Sequence, residues 1–128
     1  MSAFDAENST GSDTAGDNRE RASVAVHNMP NAVVLTVAGE IDMTTASALE
    51  RAVRQSLAQH PATLIIDLTG AQFFSSAGIA VLVLAHRQSN DTALRVVAAD
   101  RVVLRPLELT GLADDLAIRT TVEAALAG

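Results

Sequence analysis

The chain contains no cysteine, which excludes disulfide scaffolds, thiolate metal sites and thiol redox chemistry. Lysine is missing too. All nine basic residues are arginine, set against fifteen acidic ones for a formal charge of −6. No basic stripe can be drawn along such a chain, so nucleic acid is not an expected partner. The missing lysine and the abundant alanine read as coding bias in a GC-rich genome. Long apolar runs are lacking as well: the longest, Ala77 to Ala85, falls far short of the roughly 20 residues needed to span a bilayer. The N-terminus shows no basic segment followed by an apolar one, so no targeting signal is read. The expectation is a cytoplasmic protein without direct membrane insertion.

What is present suffices for a core. Of 128 residues, 48% are hydrophobic, enough for one small domain. Residues 1–21 are polar and acidic with a single aromatic, Phe4. They bury too little apolar area to offset ordering entropy and are expected to form a disordered tail. The domain is placed at 22–128.

Two β-rich runs, Ser23–His27 and Ala32–Val37, flank Asn28-Met29-Pro30-Asn31, a turn signal that predicts a hairpin. Gly39-Glu40-Ile41-Asp42 closes the second run. Asp42 or Thr44 is expected to cap a helix with Leu49, Val53 and Leu57 on one stripe and Arg51, Arg54 and Gln55 outside. Pro61 ends it. Further on, Ala93–Val97 reads as a strand, and Asp100 as the cap of a short helix holding Val103, Leu104 and Leu107. Pro106 predicts a kink or a 3₁₀ turn there. Thr110-Gly111-Leu112 fits a glycine C-cap. A weak strand near Leu116–Arg119 and a last helix at Val122–Leu126 complete the chain. The pattern predicts an α/β fold with a mixed, mostly parallel sheet of about five strands and about four helices, the first strand antiparallel.

The centre of the chain is Thr63–Ser89. Leu64-Ile65-Ile66 forms a continuous apolar run ending at Asp67, as in a strand covered on both faces. A short loop with Ser75 and Ser76 follows. Ile79–Ala85 then predicts a helix buried on most of its circumference. A serine at a helix start accepts a bond from otherwise unpaired N–H groups. Its hydroxyl there is held near the positive end of the helix dipole, where a phosphate can be received without unfolding. A plain N-cap is the alternative reading.

Three segments, GEID at Gly39–Asp42, IIDLTGAQFFSSAGIAVLV at Ile65–Val83 and LELTGL at Leu107–Leu112, resemble the STAS domain of anti-sigma factor antagonists. The likeness covers Ala22 to Gly128. It implies a bacterial partner-switching module. Such an antagonist binds an anti-sigma factor that is also a serine kinase and thereby frees a sigma factor. Phosphorylation of a serine at the start of the second helix releases the antagonist, and a phosphatase reverses this. The family pattern Asp-Ser-Ser/Thr-Gly lays its phosphoacceptor on Ser76 and its glycine on Gly78. Its Asp is Ser75 here and its second Ser/Thr is Ala77. Ser75 is thereby a second candidate acceptor. The implied partner surface comprises Asp42, Thr44, Ser75, Ser76, Gly78 and Ile79. No cofactor is implied.

The same residues admit other readings. Asp42 could serve only as a cap, and Asp67 could brace a loop. His27, His60 and His86 share no ligand spacing, so no metal is expected. Met29 and Met43 sit beside turns without a pattern, and Phe73 and Phe74 are expected to fill space beneath the serine loop. A nucleophile elbow needs glycine two residues before its serine as well as two after. Phe74 occupies the first of these positions, and no glycine-rich phosphate loop occurs, so the chain is not read as an enzyme. The alternative function is a constitutive STAS subunit of a membrane lipid-transport complex, with Ser76 only a cap.

Overall fold

The computed structural model describes residues 22–128; the tail expected at 1–21 lies outside the described residues. Strands β1 (Ala22–Asn28), β2 (Ala32–Ile41), β3 (Thr63–Phe74), β4 (Ala93–Val97) and β5 (Ala117–Arg119) form one sheet in that order. Only β1 and β2 pair antiparallel. Met29 and Ala32 exchange both backbone hydrogen bonds across Pro30-Asn31, so the hairpin turn is the one its sequence predicts. The helices are α1 (Ala46–Leu57), α2 (Ser76–Gln88), α3 (Arg101–Leu109), the single-turn α4 (Leu112–Asp115) and α5 (Val122–Ala127). The fifth helix arises because Leu112–Asp115 winds once more after the glycine cap.

One main core lies between the sheet and α1, α2 and α3. Val33, Leu35, Val37 and Ile41 of β2, Leu64, Ile66 and Leu68 of β3, and Val96 of β4 meet Leu49, Val53, Leu82 and Leu107 there. On the other sheet face a smaller cluster of Val34, Ile65 and Val97 is covered by Val122 and Ala125 of α5. Strands covered on both faces account for the uninterrupted apolar runs in β2 and β3.

Three expectations are corrected. The central strand does not stop at Asp67 but runs on to Phe74, because β2 is long enough to pair with it as far as Ile41↔Phe74. Two register shifts, between Thr36 and Ala38 and between Gly39 and Glu40, admit the extra β3 residues, as bulges do. Asp67 is therefore mid-strand and buried, its Oδ1 accepting from Thr69 N at 3.0 Å and Thr69 Oγ1 at 2.8 Å. It braces the strand where the first bulge begins. Second, Pro106 sits inside a continuous α-helix without a 3₁₀ break; the one bond it forgoes would go to Val102, an exposed residue whose carbonyl water can satisfy.

Third, the N-cap of α1 is neither Asp42 nor Thr44 but Thr45, and the helix starts at Ala46. Thr45 makes no side-chain cap bond. The Asp42 carboxylate instead accepts from Thr44 N (3.0 Å) and Thr45 N (3.1 Å) in the turn before the helix.

Asp100 caps α3 through Val102 N, and Gly111 ends that helix with φ of 81°. A Cβ there would meet nothing within 4 Å, so backbone strain alone would set the effect of a side chain. Gly111→Ala is expected to lower stability by about 1–2 kcal/mol, read from urea unfolding with an unchanged slope. No loss would mean that the turn relaxes freely.

Candidate functional site

The carboxyl ends of β2 and β3 lie side by side, and the chain leaves β3 into α2 with one intervening residue, Ser75. Ser75 N donates to Ile41 O at 2.9 Å, which ties the start of α2 to the end of β2. Ser75 is extended, as an N-cap should be, and its Oγ accepts from Ala77 N at 3.2 Å. The first helical bond runs from Ile79 N to Ser75 O at 3.1 Å. The amides of Ser76 and Gly78 have no partner within the helix, the usual state of a first turn. No acidic residue occurs in that turn. The result is an electropositive helix end with Ser75 half-buried and Ser76 exposed upon it.

Ser75 thus caps the helix without adding a negative charge beside Ser76. Ser75 Oγ is engaged as the cap acceptor, while Ser76 at the first helical position is not needed for it.

Gly78 is set by packing. A Cβ on it would lie 2.7 Å from Cε1 and 2.8 Å from Cζ of the Phe74 ring. Phe74 is itself 5% exposed, so its ring fills the space a larger residue would need. Ile79 is half-buried against the main core.

Asp42 and Thr44 occupy the turn after β2, at the same end of the sheet. Thr45, which sequence reasoning missed, is buried and organises that turn. Its Oγ1 donates to Glu40 O at 2.6 Å and accepts from Asp42 N at 2.9 Å. The Thr44 hydroxyl donates to Asp42 Oδ1 at 2.8 Å. All six residues expected at the partner surface therefore cluster at one end of the molecule.

Two apolar residues join them there unexpectedly. Met43 is 84% exposed and Phe73 51% exposed. Phe73 does not fill space beneath a loop, because Phe73 and Phe74 are consecutive strand residues facing opposite sides of the sheet. Helix α2 also buries less than expected. Gly78, Val81, Leu82 and Ala85 are buried, but Ile79, Val83 and Leu84 are half-buried and Ala80 is exposed. Among these apolar residues only Ala80 is fully open, and the half-buried ones are covered in part.

Elsewhere, an open hollow of about 800 Å³ is lined by residues that include Leu57, His60, Pro61, Asn90 and Asp91. It lies at the opposite end of the sheet, where β3 and β4 begin. His27, His60 and His86 are exposed, and no group of three or more potential metal ligands occurs among the described residues. No helix among them is long and apolar enough to cross a membrane.

Comparison with known proteins agrees with this architecture. The family model for the STAS domain matches residues 23–125. The chain is 36% identical over 107 residues to the anti-sigma-F factor antagonist RsfB of Mycobacterium tuberculosis, covering 83% of this chain and 86% of that protein. The crystal structure of an anti-sigma factor antagonist from Mycobacterium paratuberculosis superposes with a TM-score of 0.79 at 34% identity, covering 83% of this chain and 92% of that one. The anti-sigma factor antagonist SpoIIAA in its unphosphorylated form shares the fold, with a TM-score of 0.66 at 19% identity over 80% of this chain and 92% of that one. The chain belongs to the STAS domain family of anti-sigma factor antagonists.

Proposed function

We propose that the chain is an anti-sigma factor antagonist that binds an anti-sigma factor kinase through the end of the molecule bearing Ser76, and is released when that serine is phosphorylated. The observation that carries the reading is the exposed Ser76 on the first turn of α2, beside a cap already supplied by Ser75. The mycobacterial relative's name supports the partner class. A phosphate esterified to Ser76 would sit at a helix N-terminus, where dipole and unpaired amides favour an anion. It would carry about −1.5 to −2 charges to the end of the molecule that also bears the exposed Met43 and Phe73. Exposed apolar side chains near an uncharged serine fit docking against a protein, and a dianion there opposes it. A phosphatase restores the binding form.

The test is incubation with ATP and candidate anti-sigma kinases, followed by mass analysis of the peptide Ser75–Ala85. Added phosphate localised to Ser76 supports the switch. Phosphate on Ser75 would move the acceptor by one residue. No phosphate, with a transporter ATPase retained in pull-down, would favour the constitutive lipid-transport subunit instead.

The exposed aromatic is expected to act as an interface anchor, since buried aromatic contacts dominate many interfaces. Phe73→Ala should weaken the anti-sigma factor complex about tenfold, ~1.4 kcal/mol, with unchanged thermal unfolding. Titration calorimetry decides this. Unchanged affinity would remove Phe73 from the contact.

A further inference from the structure

The two edges of the sheet differ. One edge, β5, is three residues long and includes Arg119, so it is short and charged, as protected edges are. The other, β1, is seven residues long with the sequence ASVAVHN, which has no proline and no fixed charge in a chain that is 19% charged. No strand pairs with its outer side among the described residues.

The hairpin settles which backbone groups point outward. Met29 and Ala32 form a hydrogen-bonded pair, and the register runs without a break from Asn28↔Val33 to Ala22↔Gly39. In an antiparallel ladder, hydrogen-bonded and non-hydrogen-bonded pairs alternate. Ser23, Ala25 and His27 therefore direct their N–H and C=O groups to β2, while Ala22, Val24, Val26 and Asn28 direct theirs away from the sheet. These four are placed symmetrically about Ala25.

We propose that β1 is a self-association edge through which two copies of this chain join, Ala22–Asn28 pairing antiparallel with Ala22–Asn28 of the second copy about a two-fold axis at Ala25. In that register Val24 meets Val26 of the other copy and Ala22 meets Asn28 as hydrogen-bonded pairs, so every outward group finds a partner. Ser23 stands opposite His27, and Ala25 opposite itself. A non-hydrogen-bonded pair brings Cα atoms to about 4.5 Å, and alanine on the axis tolerates that approach. Val26, 49% exposed on one chain, is covered by Val24 of the other. No like charges meet. This self-match, which isologous two-fold contacts require, is the argument for a second copy as the occupant. The axis stands perpendicular to the sheet, so the two Ser76 faces lie at opposite ends of the joined sheet and both remain open.

The test uses the full chain at millimolar concentration in sedimentation equilibrium, where a mass twice 13.3 kDa is expected. Val26→Pro deletes one outward N–H and none directed to β2; proline is tolerated on such an edge. That variant should sediment as a monomer with unchanged circular dichroism and melting. The register is read separately. Because the native chain has no cysteine, Ala25→Cys carries a single thiol and should oxidise to a covalent dimer far faster than Ser23→Cys, whose thiol faces His27. A monomeric wild type, a dimer that survives Val26→Pro, or equal cross-linking of the two cysteine variants would each overturn the proposal. So would exchange-protected Val24 and Val26 amides in a monomer, which would assign the edge to residues 1–21.

Discussion

Ser76→Asp is expected to fold like the parent chain and to bind its anti-sigma factor about two to three orders of magnitude more weakly, while Ser76→Ala stays bound with or without ATP. Two opposing effects of negative charge at this position decide the outcome. On the isolated domain, charge at a helix N-terminus is favourable by about 0.3–2 kcal/mol. The α2 cap bond belongs to Ser75 Oγ, so replacing the exposed neighbour removes no structural contact. Substitutions of that kind shift stability by no more than about 0.5 kcal/mol. At an interface the same charge must lose its water without a prepared partner, at a cost of about 2–5 kcal/mol. Each ~1.4 kcal/mol is tenfold in affinity. Binding is lost and the fold is kept. Calorimetric titration of both variants against the kinase, with and without ATP, reads the difference. Equal affinities throughout would count decisively against a switch at Ser76.

The parts of this site that could be read in the sequence are those set by local chemistry. Pro30-Asn31 makes a turn by its own backbone preferences. Asp100 and Gly111 punctuate α3, and a serine preceding an apolar helical run announces a cap. The serine pair at the start of α2 was legible on those terms, as was the mostly parallel sheet. What could not be read depends on distant neighbours. Thr69, Gly70 and Gln72 look like loop residues, and they are strand only because β2 lies alongside with two bulges to absorb the mismatch. With the loop gone, Phe73 and Phe74 part to opposite faces, and an expected core pair becomes one core ring and one exposed ring. Periodicity likewise identified the buried side of α2 but carried no information about whether anything covers the other side. Met43 had no signal at all, since its exposure follows from the turn that Thr45 builds, and that turn displaces the helix start expected from Asp42 or Thr44.

Gly78→Ala is expected to destabilise the fold by about 2 kcal/mol and to lower the melting temperature by on the order of 10 °C. The sign is informative, because helix propensity alone favours alanine over glycine by about 1 kcal/mol. Opposing it, the new Cβ would stand 2.7–3.0 Å from three atoms of the Phe74 ring, closer than a methyl group and an aromatic carbon can pack. The ring cannot simply swing aside, because it belongs to the main core with Ile41, Leu49 and Leu82. Either the ring moves into that core or the first turn of α2 lifts from the sheet. Lifting it would displace Ser76, two residues away, and would stretch the 2.9 Å bond from Ser75 N to Ile41 O. Partner affinity should therefore fall together with stability, which distinguishes this variant from Ser76→Asp, where the two separate. Thermal unfolding of Gly78→Ala, Phe74→Leu and the double variant tests the cause. If ring and glycine share one space, the smaller leucine recovers part of the loss, with a coupling of about 0.5–3 kcal/mol. A gain in stability for Gly78→Ala alone, or full additivity in the cycle, would show that the ring yields freely and that close approach is not what holds a glycine at position 78.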